Sequence, residues 1–364
     1  MKKKSIAFII GSLSSGGAER VVSTLCNELI EKYKVTVITF VNLSPFYKLD
    51  PRIKQLYCYD KIKPSKTAFD TIKLNYKLYK RITKHLRNEK IELVICFLTR
   101  ENILGILAAK TLKIPVIISE RNNPYEVNLG FLWNTLLKFT YPKANCLVVQ
   151  TKIIEQYFKS FVEEENLQIL ANPISTELTL SRNKEIEKKK IVLNVGRFTE
   201  QKAQILLIRA FSALNEEDWC LHIIGKGPKQ KEYENIIREL GMQEKIKLLS
   251  PTKSISDHYN SSSIFAFTSI YEGFPNALIE AMHYGLPCIA TDCPTGPSEL
   301  IENGENGFLI EMNNQIQLEE KLNVLFNDAT LRSNFSIKAQ MSVEKFQAVH
   351  IANDWEQIIL KNLK

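Results

Sequence analysis

The feature that most constrains this chain is a rhythm in which short β-branched runs alternate with longer amphipathic segments along almost its whole length. In the first half the runs are SIAFII, VTVITF, ELVICFL, PVIIS and NCLVVQ, with helical spacing over 18–32, 102–112 and 131–139 and a long basic segment between the second and third runs. Strands that alternate with helices in this way form parallel sheets joined by crossovers. Around 171–190 the rhythm breaks at Asn172-Pro173 and the run NKEIEKKK, which suits an exposed linker. It then resumes with IVLNVG, CLHIIG, IKLLS, SIFAFTS, PCIAT and GFLIE, and helices start near 203, 229, 275 and 315.

A chain of 364 residues exceeds what one ordinary core supports, so two domains are expected. The architecture repeats between the halves but the sequence does not, which excludes solenoids and propellers. The expected fold class is α/β, with two Rossmann-like, doubly wound domains facing a central cleft. Residues 1–172 form the first domain and 173–364 the second, and the helical tail 331–364 is expected to pack back on the first.

Composition narrows the class further. At 45% hydrophobic and 24% charged, the chain resembles average soluble domains and not disordered, collagenous or membrane-spanning ones. Its seven cysteines lack a CxxC pair and sit mostly in apolar runs, so they read as buried hydrophobes in a reducing compartment. Cys288 and Cys293 have no nearby histidine to complete a metal site, and no metal is expected. The start, MKKKSIAFIIGSL, has the basic-then-apolar order of a secretory signal. Gly16, Gly17, Glu19 and Arg20 follow it without a small-residue cleavage site, which favours a first strand. No uninterrupted apolar run of about 18 residues occurs, so no bilayer-spanning helix is expected.

Three segments carry chemistry. In GSLSSGGAER, Gly16 and Gly17 let backbone approach a ligand at a helix N-terminus, although a tight strand-to-helix turn explains them equally well. The GxGxxG spacing and the ribose-binding acid of a dinucleotide site are absent, which argues against a nicotinamide dehydrogenase. In VGRFTEQK, Arg197 and Lys202 place two permanent cations by a helix mouth. They suit a diphosphate whose charge grows as it leaves, a role a metal plays elsewhere, and no DxD pair exists to hold a metal; an exposed surface pair is the plainer alternative. In EGFPNALIE, Glu272 follows a strand and Glu280 lies eight residues on, inside a helix opened by glycine and proline. That helix offers amides to a phosphate, Glu272 to sugar hydroxyls and Glu280 to ribose hydroxyls.

GRFTEQK followed by EGFPNALIEAMHYGLPCIATDCPTGPSELI resembles family 4 of the retaining glycosyltransferases, which have the GT-B fold. The resemblance extends, in order, over SGGAER, Asn172-Pro173, GKGP at 225–228 and NGENGFLI. It implies that Arg197, Lys202 and Glu272 are the catalytic set, with Arg197 and Lys202 on the donor diphosphate, Glu272 on the transferred sugar and Glu280 on the ribose. It further implies that the stretch holding Gly273, Phe274, Asn276, Ala277 and Leu278 meets the phosphates, that the segment ending at Thr252 flanks the base, and that Gly16 and Gly17 join the donor site. It implies metal-independent transfer with retention, in which the donor phosphate itself helps to deprotonate the acceptor. Three positions depart from the family pattern: Ala203 replaces a glycine, Lys226 an acid, and Arg121 a histidine. An arginine at 121 is expected to bind a phosphate of the acceptor.

The net charge of +8 is concentrated, with ten Lys or Arg over 61–90 against Asp70 and Glu89. Lys73, Lys77, Lys80 or Arg81, Lys84 and Arg87 recur at helical spacing, with Tyr76, Tyr79 and Ile82 between. An ordinary solvated face fits this, as does a surface for acidic headgroups or a lipid-borne diphosphate, which the aromatic segment 130–143 also suits. Without an RNA-binding motif, nucleic acid is not expected as a partner. The expected reaction moves a hexose or N-acetylhexosamine from a nucleotide-sugar, a UDP-sugar by expectation, to a polyprenyl-diphosphate-linked glycan. The expected place is the cytoplasm, peripheral at the inner face of the membrane, with no cofactor beyond the donor. Competing expectations are a soluble small-molecule acceptor and an inactive, transferase-like regulatory subunit.

Overall fold

A computed structural model of the chain describes residues 3–64, 67–127 and 129–363. These form two compact units, one running to Ser175 and including the residues from Ala348 onward, the other Thr176–Gln347. The division falls at Ser175 rather than at 172, and the last helix, counted above with the second domain, belongs to the first unit.

The first unit holds seven strands: β1 (Ser5–Ile10), β2 (Lys34–Val41), β3 (Lys54–Tyr59), β4 (Leu93–Phe97), β5 (Val116–Ser119), β6 (Cys146–Val149) and β7 (Leu167–Ile169). They pair in parallel in the order β3-β2-β1-β4-β5-β6-β7. Strands β4, β5 and β6 are buried at every residue, because helices cover both faces of a parallel sheet. The connecting helices are α1 (Gly17–Leu29), α2 (Ala68–Asn88), α3 (Thr99–Leu112), α4 (Gly130–Thr140) and α5 (Lys152–Phe158).

Helix α2 begins where the Thr67 side chain accepts from the amide of Asp70 at 3.1 Å, a side-chain N-cap. Its Leu78, Ile82 and Leu86, one turn apart, form the buried stripe.

The second unit opens with α6 (Thr176–Leu180) and has six strands: β8 (Ile191–Val195), β9 (Cys220–Ile224), β10 (Ile246–Leu249), β11 (Ile264–Phe267), β12 (Cys288–Thr291) and β13 (Phe308–Ile310). They too are parallel, in the order β10-β9-β8-β11-β12-β13. Its further helices are α7 (Gln204–Leu214), α8 (Gln230–Glu239), α9 (Ile255–Ser261), α10 (Asn276–His283), α11 (Pro297–Leu300), α12 (Gln315–Asn327) and α13 (Ala329–Val343).

The charged run 183–190, expected as a linker, is surface of this unit. The Asn183 amide donates to Asn260 Oδ1 at 3.0 Å, Lys188 Nζ to the Tyr259 carbonyl at 3.0 Å and the Lys189 amide to the Ser261 carbonyl at 2.7 Å.

The final helix, α14 (Ala348–Asn362), packs with α1 in the first unit. Trp355 is fully buried and stacks on Phe97 with ring centroids 5.7 Å apart. Glu356 pairs with Lys32. Stacked, buried aromatic rings of this size account for the docking of an otherwise ordinary amphipathic helix.

In open parallel sheets, ligands meet the carboxyl ends of the strands where the strand order reverses. In the first sheet that point lies between β1 and β4, and in the second between β8 and β11. At the first point, Glu101 in the opening turn of α3 is 7% exposed. A Cβ added to Gly11, just past β1, would lie 2.6 Å from its Oε1. Burial, opposed by Arg100 and reinforced by Glu120 and Glu19, pushes this carboxyl up to about 7.

The folded protein therefore holds the Glu101 proton more tightly than the unfolded chain, and stability falls as pH rises from the ordinary carboxyl value of 4.5 through about 7. Glu101→Gln is expected to exceed wild type by up to about 3 kcal/mol at pH 8 in urea unfolding and to converge with it below about pH 4. A pH-independent difference would contradict this.

Candidate active site

The turns after β8 and β9 interlock through backbone. A Cβ on Gly225 would fall 1.9 Å from the Gly196 carbonyl oxygen, and one on Gly227 would fall 2.3 Å from that of Phe198. Only glycine permits this approach. The Phe198 amide donates to the Lys226 carbonyl at 3.0 Å, so residue 226 serves through its backbone while its side chain is exposed. That is why lysine in place of an acid leaves the turn intact.

Beyond this clasp, Glu200–Lys202 form a single 3-10 turn that ends at Ala203, with φ 44° and ψ 38°. This left-handed geometry is what a glycine at 203 would adopt without strain. The turn aims Lys202 at the loop after β11. Lys202 Nζ pairs with Glu272 Oε1 and lies 5.1 Å from the centroid of the Phe267 ring. The two side chains are 17% and 8% exposed.

Three more bonds hold the same two loops together. Thr268 Oγ1 donates to the Lys202 carbonyl at 2.9 Å, Gln201 Nε2 to the Tyr271 carbonyl at 2.9 Å, and the Ile270 amide to the Gln201 carbonyl at 2.9 Å. The Thr295 hydroxyl donates to the Glu272 carbonyl from the far side. Cys293 senses the same charges: burial and Glu272, opposed by Lys202, push its thiol up to about 12. Thr268, Gln201 and Thr295 carry no signal in one sequence that marks them as supports.

Arg197 is exposed, and no carboxylate pairs with it among the described residues. The expected amides of α10 are unequal. Pro275 has none, Asn276 donates to the Phe274 carbonyl at 3.0 Å and Leu278 to the Pro275 carbonyl at 3.0 Å. Those of Gly273, Phe274 and Ala277 have no acceptor among the described residues, which narrows the phosphate-facing set to these three. Gly296, at φ 112°, closes against this turn, since a Cβ there would lie 2.4 Å from Pro275 Cδ.

Glu280, in α10, is 4% exposed and accepts from the Tyr259 hydroxyl at 3.0 Å. Thr252 Oγ1 accepts from the Ser254 amide at 3.0 Å, fixing the turn after β10. All these residues belong to the second unit.

Gly16 and Gly17 belong to the first unit. Gly16 precedes α1 without a side-chain cap, and a Cβ there would lie 2.0 Å from Glu19 Oε2. The carboxylate of Glu19 thus already covers the start of α1, which disfavours a phosphate beside these glycines.

Arg121 also departs from expectation. It is 8% exposed, packed with its guanidinium 5.0 Å from the Phe97 ring centroid and 5.9 Å from that of Trp355, and Nη1 bonds Asn172 Oδ1. Burial lowers it to about 9. That enclosure leaves little of the side chain in solvent, while its Nε and Nη2 have no hydrogen-bond partner among the described residues.

Lys73, Lys77, Lys80, Arg81 and Lys84 are all exposed along α2. Arg81 is engaged locally, bonding the Cys58 carbonyl and lying 3.9 Å over the Tyr59 ring. Glu89 is paired with Lys54 at 2.7 Å and Asp70 is the one acid within α2 itself, so the lysines keep a net positive face.

Residues 176–341 match the family model described as Glycosyl transferases group 1, and residues 15–178 that described as Glycosyltransferase Family 4. The chain is 31% identical over 362 residues to the N-acetylgalactosamine-N,N'-diacetylbacillosaminyl-diphospho-undecaprenol 4-alpha-N-acetylgalactosaminyltransferase of Campylobacter jejuni, covering 96% of this chain and 98% of that protein. It is 29% identical over 361 residues to the same organism's GalNAc-alpha-(1->4)-GalNAc-alpha-(1->3)-diNAcBac-PP-undecaprenol alpha-1,4-N-acetyl-D-galactosaminyltransferase, covering 97% and 98%. The crystal structure of Anabaena HepE in complex with UDP and glucose superposes with a TM-score of 0.79 at 18% identity, covering 98% of this chain and 99% of that one. The last likeness concerns the fold. The chain belongs to the group 1, family 4 glycosyltransferases of GT-B fold. It is a glycosyltransferase, retaining and metal-independent by family.

The Lys202–Glu272 pair sets up two stability tests. Lys202→Met leaves the Glu272 carboxylate buried without its partner and is expected to cost about 3 kcal/mol in urea unfolding. Lys202→Met with Glu272→Leu is expected to cost less than the sum of the single changes. Additive effects would mean that the two side chains are not coupled. Ala203→Gly is expected to stabilise by up to about 1 kcal/mol, because relief of the left-handed alanine outweighs the added entropy of the unfolded chain.

Proposed function

We propose that this transferase moves a hexose or N-acetylhexosamine from a UDP-sugar to a polyprenyl-diphosphate-linked glycan, working as a peripheral protein at the inner face of the membrane. The observation that carries the donor half is the Lys202–Glu272 pair set beside the amides of Gly273, Phe274 and Ala277 at a sheet's reversal point.

In this reading Arg197 and Lys202 hold the diphosphate and neutralise the charge that grows on it. Glu272 accepts from hydroxyls of the transferred sugar. Glu280 accepts from the ribose alongside Tyr259, since a carboxylate has room for several donors. Thr252 lies in the turn that flanks the base. The acceptor hydroxyl attacks the anomeric carbon from the side of the leaving group, the bond to the diphosphate breaks, and the acceptor proton passes to the departing phosphate oxygen. The UDP assignment is supported by the HepE complex with UDP and glucose.

Two observations support the lipid-linked acceptor. Both Campylobacter jejuni relatives carry an undecaprenol diphosphate in their names. The first unit presents Lys73, Lys77, Lys80 and Lys84 on one exposed helix face, suited to an anionic surface. Among the described residues no helix is long and apolar enough to cross a membrane.

Radiolabelled UDP-sugar and washed membranes test the acceptor: label is expected in organic-extractable glycolipid, and label that stays water-soluble without any need for lipid would sink that half. Arg197→Ala tests the donor half cleanly, because an exposed side chain can be removed without unfolding. A loss of about 100-fold or more in kcat at unchanged Tm is expected. Wild-type turnover in this variant would remove Arg197 from the donor site.

A further inference from the structure

A cavity of about 500 Å³ opens in the first unit, where the ends of α2, α3 and α4 come together. Ile62, Pro64, Leu74, Leu129 and Trp133 make its walls apolar. Its charged groups are Arg100 and Lys63, both cations, and no acid lines it among the described residues. Thr71 and Thr99 complete it, but their hydroxyls donate elsewhere, to the Thr67 carbonyl at 3.1 Å and Glu120 Oε2 at 2.8 Å.

Arg100 is half-buried. Its Nε donates to Asn75 Oδ1 at 2.8 Å and its guanidinium lies 5.3 Å from the Phe40 ring centroid, while no carboxylate bonds it among the described residues. Those contacts fix the plane of the guanidinium and leave its terminal N–H groups for an anion. The adjacent Glu101 carboxyl lies against Gly11, and burial pushes it up to about 7, so it offsets the arginine only in part near neutral pH.

The two helix ends that wall the cavity also carry large apolar side chains in solvent. On α2 these are Phe69, Ile72 and Tyr76, at 72%, 56% and 59% exposure, and on α4 Phe131 and Leu132, at 89% and 52%. Apolar side chains crowded beside lysines are what a protein sets against a bilayer's headgroup region. A cavity with greasy walls, two cations and such a rim fits a ligand that is an anion at one end and a hydrocarbon at the other.

We propose that this cavity seats the prenyl diphosphate of the acceptor, with Arg100 and Lys63 on the diphosphate and Trp133, Leu74 and Leu129 against the first isoprene units. The assignment rests on the lipid-linked acceptor proposed above and names a place for it that is separate from the lysine face of α2.

The test compares a lipid-linked acceptor with a water-soluble acceptor bearing the same glycan, using the full chain as wild type, Arg100→Gln and Leu74→Trp, the last filling the cavity without removing a charge. Tm establishes that both variants are folded, and calorimetry with farnesyl diphosphate, farnesol and inorganic diphosphate reads binding directly. Wild type is expected to prefer the lipid-linked acceptor and to bind farnesyl diphosphate at least tenfold more tightly than either fragment. Both variants are expected to lose at least tenfold in the ratio of kcat/KM for lipid-linked over soluble acceptor, and to bind farnesyl diphosphate correspondingly less. Folded variants that keep the wild-type ratio overturn the cavity assignment while leaving the acceptor reading in place, as does a lipid-preferring wild type that ignores farnesyl diphosphate. A wild type with no preference for lipid overturns the acceptor reading and the cavity with it.

Discussion

The contact between Lys202 and Glu272 organises the second unit's chemistry. Each residue sits on a loop leaving one of two adjacent strands, β8 and β11, whose helices depart in opposite senses. Isolated, either charge at such low exposure would be costly. Together, with the Phe267 ring under the ammonium, each makes the other's burial tolerable. The supporting bonds from Thr268, Gln201 and Thr295 all donate to backbone carbonyls near the pair, so the loops are held by groups that do not compete for its charges. A cation and a carboxylate are thereby positioned before any ligand arrives, which is the condition for electrostatic catalysis with little reorganisation.

That arrangement depends in turn on close backbone contact. The Gly225–Gly196 and Gly227–Phe198 approaches bring the β8 and β9 turns within a distance no side chain allows, and the 3-10 turn carrying Lys202 springs from the first of them. Ala203 shows the cost of departing from glycine where φ is positive. The fold accepts a strained alanine because the residues on either side are fixed by the ion pair and by α7.

Much of the fold is legible because both sheets are parallel and their inner strands are buried, so that these appear as continuous apolar runs; in the second sheet the outer strands β10 and β13 bury one residue each and are legible from the apolar residues of IKLL and FLI. The first sheet's outer strands are not. β3, KQLYCY, is mostly exposed or half-exposed, and β7 has only three residues, of which one is buried, so neither has the pattern that a doubly covered strand shows. The donor residues were legible because motif and chemistry coincide on a strand end and a helix start. Arg121 was not, because its surroundings come from Trp355, more than two hundred residues away, and nothing local in ISERNNP announces that α14 returns to cover it. The amides of α10 were overcounted for a related reason: a proline inside the opening turn removes one donor and diverts two others into the turn itself.

The two units set different physical problems and meet them with different charge arrangements. In the second unit a cation and an anion are paired and buried, so the site is close to neutral and can discriminate by geometry among hydroxyls and phosphates. In the first, the lysines of α2 and the arginine at the start of α3 have no partnering acid among the described residues, and apolar residues lie exposed among them. An unbalanced basic surface costs folding energy through self-repulsion, and exposed aromatics risk aggregation, so their combination on one pair of helix ends is hard to explain by stability. A small polar ligand would require neither the greasy walls of the cavity nor the aromatic rim. An anionic group anchored in hydrocarbon requires both, since burying its chain recovers the apolar area that would otherwise stay in water while its charge meets the unpaired cations.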